Sequence, residues 1–201
     1  MRDPAGHKGI PSGWKGETFG RRADFDFVIE ERGGQHVLHL KSRDEHSTIA
    51  KELTGTVSLK STPMLEWTWM ATTLPTGGDL RRREPTDLAA QLYVVWPRRP
   101  ALLRSRIIGY VWDATAPAGL IAQSKKTPTV TFVVLRSGGG ELGRWLTERR
   151  NVVEDYQRIF GEAPDDPGAI TISIDSNDTH SAAESYVGAI TFRGKVEAPG
   201  R

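Results

Sequence analysis

In several short runs of this chain the apolar side chains fall at every second position, and glycine or proline closes most of these runs. Phe25, Phe27 and Ile29 alternate with Asp26, Val28 and Glu30. Leu65, Trp67 and Trp69 share one face of a later run, with Met64, Glu66, Thr68 and Met70 on the other. A period of two is the signature of a half-buried β-strand and does not fit a helix face. Gly33-Gly34, Pro63, Pro97 and Ser137-Gly138-Gly139-Gly140 supply the breaks.

Extending the reading predicts strands at His36 to Leu40, Leu88 to Trp96, Ile107 to Trp112, Val130 to Leu135, Arg144 to Arg150, Ala169 to Ile174 and Tyr186 to Phe192. Gly33-Gly34 makes the first two strands a hairpin. One helix is expected near residues 152–160. Asn151 would cap it, Val153, Tyr156, Ile159 and Phe160 form its apolar face, and Gly161 ends it. Alternating strand and helix is absent, which argues against a parallel sheet. The expected fold is therefore all-β: a two-sheet antiparallel β-sandwich of jelly-roll type with one short helix. An N-terminal arm, 1–24, held by Trp14 and Phe19, would precede a single domain, 25–194, and a flexible tail, 195–201.

The 201 residues suit one large sandwich, and 37% hydrophobic content suffices for its core. A net charge of +2 gives little reason to expect nucleic acid. Arg81-Arg82-Arg83 and Arg98-Arg99 read as solvated loop charge. With no cysteine, disulfides, thiolate metal sites and thiol nucleophiles are all excluded. No apolar run is long enough to span a membrane as a helix. The start, Met1 to His7, lacks the apolar stretch of a signal peptide, so any export signal is absent from this chain.

The chemistry-bearing residues fall into a few groups. Gly138 to Gly143 superficially resembles a phosphate loop. It lacks the Lys-Ser/Thr ending and a strand follows it, so it reads as a hairpin turn. No zinc spacing and no GxSxG elbow exist. Asp175, Asn177 and Asp178 offer hard oxygen ligands for calcium, or an ordinary Asx-rich turn. Trp67 and Trp69 are either core or the stacking walls of a groove. A strand bearing Thr147, Arg149 and Asn151 on one face is poorly suited to a core, and Arg149 could hold an anion in bidentate fashion or join an ion-pair network. Glu148 with Asp175 or Asp178 could form a hydrolytic carboxylate pair. Arg149, Tyr156 and His180 could serve a lyase as cation and base.

Several segments coincide in one pattern: Leu65 to Trp69, Asp87 to Val95, Gly109 to Trp112, Val133 to Gly138, Trp145 to Tyr156, Ile174 to Thr179 and Gly188 to Phe192. With them the chain resembles the bacterial family catalogued as domain of unknown function 3047. The resemblance carries no activity. It implies an exported or periplasmic setting, and an acidic pair where this chain has Thr86-Asp87, of which only Asp87 is present.

The expected function is a binding module for a carbohydrate or other polar ligand. Trp67 and Trp69 would supply stacking, Arg149 and Asn151 polar contacts, and Asp87, Asp175 and Asp178 hydrogen bonds or a calcium site. The alternatives are a carbohydrate-active hydrolase or lyase on the same scaffold, and a structural or interaction domain of the cell envelope.

Overall fold

The computed structural model describes residues 1–18 and 22–195. Phe19 and the tail beyond Lys195 lie outside the described residues. The strands are β1 (Lys15–Glu17), β2 (Asp26–Arg32), β3 (Gln35–Arg43), β4 (His46–Glu52), β5 (Met64–Thr73), β6 (Ala90–Trp96), β7 (Arg106–Asp113), β8 (Ile121–Gln123), β9 (Val130–Ser137), β10 (Leu146–Asn151), β11 (Ala169–Asp175) and β12 (Ala182–Arg193). They form a seven-stranded sheet, β1-β4-β11-β6-β7-β9-β8, facing a five-stranded sheet, β10-β5-β12-β3-β2. This is the jelly-roll-like sandwich that the alternation predicts.

The alternation decides what is inside. Leu65, Trp67, Trp69 and Ala71 of β5 point inward, as do Phe27, Ile29, Leu38 and Leu40. They meet Leu92, Val94, Ile108, Tyr110, Trp112, Ile170, Ile172 and Ile174 from the other sheet. Gly109 lets β6 and β7 lie close, since a Cβ there would stand 2.6 Å from the Tyr93 ring. A smaller second core lies on the outer side of the seven-stranded sheet. There Val111, Val130, Phe132 and Val134 are covered by Leu80, Leu88 and Ala116 from the loops.

The hairpin at Gly33-Gly34 forms with both glycines at positive φ, 58° and 75°, as a two-residue turn of this hand requires. The helix α2 (Val152–Phe160) starts at an Asn151 cap and ends at Gly161, φ 76°. A four-residue helix, α1 (Ala101–Arg104), stands in the basic loop where none was expected.

Two details differ from the expected hairpin order. β7 and β9 pair in parallel. Residues 114–129 provide the crossover, and within them β8 adds an antiparallel edge to β9. The glycine-rich turn after β9 closes no hairpin, because β9 and β10 belong to different sheets; it carries the chain across the sandwich. The N-terminal arm touches both sheets. His7 and Gly9 hydrogen-bond to Ile29 and Phe27 along the free edge of β2, while β1 pairs with β4. No helix among the described residues is long and apolar enough to cross a membrane.

Candidate functional site

The structure places Trp67 and Trp69 in the centre of the core, 1% and 0% exposed. Their rings pack edge to face at 5.4 Å, and against Tyr110 and Trp112 of the opposite sheet. Neither has a face left for a sugar, so the stacking role expected of them is corrected: inward alternation along β5 commits them to packing. Glu148 is inward-facing too. It accepts a hydrogen bond from the Trp69 indole at 3.0 Å and from Arg136 Nε at 2.7 Å. Its carboxylate is spent on holding the sandwich edge.

At the α2 end the expected polar residues are also engaged. Arg149 lies exposed on the outer side of the five-stranded sheet and pairs with Glu66 at 2.7 Å. Arg150 pairs with buried Asp155, which also accepts from the Tyr110 hydroxyl at 2.8 Å. Asn151 accepts the Glu154 backbone N–H as the helix cap. The Tyr156 phenol is buried and accepts from Arg98 and Arg106, each at 3.0 Å.

At the opposite end of the sheet the loop acids do gather. Asp87 is fully buried and accepts from the backbone N–H groups of Asp178 and Thr179 and from the Thr179 hydroxyl. Burial, and then the nearby Asp175 charge, push its carboxyl above the ordinary range. Asp175 accepts from Leu88 N at 2.7 Å and Gln91 Nε2 at 2.8 Å, and meets His46 at 3.2 Å. Asp178 accepts from Thr86 and is neutralised by Lys126. Burial alone would raise Asp178; the bonds from Lys126 and Thr86 outweigh it and hold the carboxyl low. Asn177 donates to Asp178. These oxygens point at loop donors and not at a common centre, and among the described residues no three His, Asp or Glu side chains are arranged to hold a metal. As they stand, Asp175, Asn177 and Asp178, the residues expected to offer calcium ligands, tie the loops at this end of the sheet together. His180 is exposed and bonds Asp44 at 2.7 Å. Asn151 faces Met64 at the start of β5, whereas β12, which follows His180, meets the far end of β5 at Thr73. Tyr156 and His180 are thus separated by the length of the sheet and share no cleft.

The solvent-facing side of the five-stranded sheet holds a set that the strand pattern alone did not assemble. Tyr186 of β12 lies opposite Met70 of β5 and His39 of β3, and His39 lies opposite Val28 of β2. Leu146 pairs with Trp69, which sets Trp145 beside Met70 at the end of this row. Trp145 is 40% exposed, and its ring meets Tyr186 edge on at 6.2 Å. Tyr186 stacks on His39 at 4.1 Å, with the Arg32 guanidinium 5.3 Å from its ring centre. Each His39 nitrogen meets a carboxylate at 2.6 Å, Glu30 on one side and Glu184 on the other. Burial would raise Glu30, but the bonds from Arg32 and His39 win and hold its carboxyl below the usual value. Burial, and then Glu30 and Glu184, push the Tyr186 phenol up. Two carboxylates flanking a site suggest acid–base hydrolysis, yet that chemistry needs room for a sugar between them. Here the imidazole fills the space. Tyr186 and His39 are themselves buried, so Trp145 is the exposed ring of the row, with the partly exposed Glu30 and Glu184 carboxylates beyond it.

The model of the family described as "Protein of unknown function (DUF3047)" matches residues 12–191. The chain belongs to this family. No curated protein matches it. Among solved structures, the Family 11 carbohydrate-binding module of the cellulosomal cellulase Lic26A-Cel5E of Clostridium thermocellum aligns with TM-score 0.50 and 9% identity, over 96% of this chain and 94% of that one. The family 11 xylanase of Neocallimastix patriciarum aligns with TM-score 0.46 and 9% identity, over 96% and 97%. The xyloglucanase domain of NopAA from Sinorhizobium fredii aligns with TM-score 0.47 and 10% identity, over 90% and 93%. The first of these shows a shared sandwich fold, and a fold does not carry an activity with it.

Proposed function

We propose that this member of the DUF3047 family is a non-catalytic binding module for a carbohydrate or a related polar ligand, and that the outer face of the five-stranded sheet is its site. The observation that carries the reading is the exposed Trp145 ring in register with Tyr186 and His39, bordered by Glu30, Glu184 and Arg32. An aromatic face beside carboxylate and guanidinium groups suits the apolar face and the hydroxyl rim of a sugar ring. The shared fold with a protein named as a carbohydrate-binding module supports the same reading. Arg149, exposed on that face beyond Thr147, would extend the contact surface. Asp87, Asp175 and Asp178 would act indirectly, by fixing the loops at the sheet's end.

Titration of the purified chain with a panel of soluble glycans tests this, with release of reducing ends followed in the same samples. Saturable binding that Trp145→Ala abolishes, without bond cleavage, is the expected result. Cleavage would establish an enzyme instead. A second reading, a structural or interaction domain of the cell envelope, is favoured by one observation: Trp67 and Trp69 are spent in the core, and Arg149 and Arg150 in ion pairs. Absence of binding across the panel would leave that reading in place.

A further inference from the structure

The row of Trp145, Tyr186 and His39 has a neighbour two residues further along each strand. Asp26 of β2 lies opposite Lys41 of β3, and Lys41 opposite Glu184 of β12. At this row the sheet ends in a groove of about 570 Å³, a volume typical of small-ligand sites, lined by Asp24, Asp26, Lys41, Arg43, Glu45 and Glu184. Glu184 belongs to both, since the same carboxylate grips His39. The groove and the aromatic row are therefore one continuous surface.

Three of the lining groups are uncommitted. Among the described residues, the Asp26, Lys41 and Arg43 side chains make no hydrogen bond or ion pair. A fourth is half committed. Glu45 is 2% exposed; its Oε2 accepts from Asp24 N at 2.9 Å and from the Ser47 hydroxyl at 2.5 Å, while its buried Oε1 has no donor. Buried polar atoms are rarely left so, and this one lies beneath the floor of the groove. Asp24 is paired with Arg22 and adds no net charge. Glu184 is shared with His39 in a cluster that also holds Glu30 and Arg32; the groups that remain, Asp26 and Glu45 against Lys41 and Arg43, cancel. Along the edge Asp26, Lys41 and Glu184 alternate in sign.

We propose that this groove is a second subsite of the carbohydrate face, and that it takes a neutral, hydroxyl-rich saccharide unit in preference to a uronate or an amine-bearing sugar. The inference rests on the carbohydrate reading above. Vicinal hydroxyls both donate and accept, so they can bridge an uncommitted carboxylate and an uncommitted ammonium or guanidinium with charge-assisted bonds. A charged sugar would satisfy one sign and face the other. With the charges balanced, the groove has no net field to steer an ionic ligand, and its affinity is nearly independent of salt.

The test is calorimetric titration of the full chain with three soluble probes of matched length: a neutral xylo- or cello-oligosaccharide, an oligogalacturonate and a chitosan oligosaccharide. Each is run at about 20 mM and about 500 mM sodium chloride. The expected result is binding of the neutral probe with less than about a twofold change across salt, weakened about tenfold by Asp26→Asn and by Lys41→Gln. Both positions are exposed, so an unchanged melting temperature separates this loss from misfolding. Tighter, salt-sensitive binding of the uronate or chitosan probe would overturn the subsite's assigned specificity while leaving the module a carbohydrate binder. Binding lost in Trp145→Ala but untouched by both groove variants would overturn the subsite itself. No binding of any probe would sink the carbohydrate reading, and this inference with it.

Discussion

The Tyr186 ring lies almost flat on His39, centroids 4.1 Å apart and planes 11° from parallel. His39 cannot turn beneath it, because Glu30 and Glu184 hold its two nitrogens at 2.6 Å each. The phenol ring is therefore fixed before any ligand arrives, and Trp145 meets it edge on at the end of the same row. A surface set in place by its own hydrogen bonds loses little conformational freedom on binding, which is where preorganised sites gain affinity.

The aromatic residues divide into two classes that one pair of substitutions separates. Trp145→Ala removes a surface ring, 40% exposed, and should lower stability by no more than about 1 kcal/mol while binding is lost. Trp67→Ala empties part of the core between the sheets and should cost about 3–5 kcal/mol in chemical denaturation. If Trp67→Ala proved neutral for stability, the packing of Trp67 against Trp69 and Tyr110 would be misplaced.

Asn151 provides a cleaner separation of structural and ligand roles. Its side chain accepts from Glu154 N and donates to Glu154 Oε1, both inside the first turn of α2. Asn151→Ala should lower stability by about 1 kcal/mol, and Asn151→Asp should retain most of it, because aspartate caps as well as asparagine. Ligand affinity should be the same in all three proteins. A loss of affinity in Asn151→Asp with stability intact would return this residue to the binding surface.

The loop acids lead to a prediction about metal. Asp175 and Asp178 already accept from Leu88, Gln91, Thr86 and Lys126, so a divalent ion would have to displace donors that the fold supplies. Neither added calcium nor EDTA should shift the melting temperature. Asp178→Ala should lower stability by about 2–3 kcal/mol, because it leaves Lys126, itself mostly buried, without its main partner. A calcium-dependent rise in melting temperature would show that the tied loops open to a cation.

The alternation along β2 and β5 and the β-branched run of β9 made the sandwich legible, and Asn151, the apolar positions after it and Gly161 made α2 legible nearly to the residue. What periodicity cannot give is which strand lies beside which. Glu30, His39 and Glu184 face outward on three separate strands. They form one cluster only because β12 inserts between β3 and β5, more than a hundred residues away in sequence from β3. For the same reason Trp67 and Trp69 could not be assigned from β5 alone. An inward face looks the same whether a second sheet or a sugar covers it, and Tyr110 and Trp112 from β7 settle the matter in space. Trp145 stood next to the polar run that the sequence singles out, but its importance depends on Met70 and Tyr186 completing its row. The parallel pairing of β7 and β9 was hidden because residues 114–129 carry no strong pattern, although they hold the crossover.

Acid should destabilise the protein in part through Asp79. Its carboxylate accepts from Arg81 Nε and Nη2 at 2.8 Å and from Arg81 N at 3.0 Å. The Arg81 side-chain bonds, working against burial, bring its pKa down from 3.8 to about 2. Because the folded value lies below the unfolded one, the stabilisation is present above about pH 4 and is lost as the pH falls toward 2. The full shift corresponds to about 2 kcal/mol, and solvent around the half-exposed Arg81 guanidinium reduces it to about 1. In urea titrations at pH 6 to 7, Asp79→Asn should therefore be less stable than the wild type by about that amount. The gap should narrow steadily below about pH 4, as protonation removes from the wild type what the substitution has already removed. A gap that stays constant down to pH 2 would mean that the asparagine harms the loop by its shape, and that the Asp79 charge contributes nothing to holding Arg81.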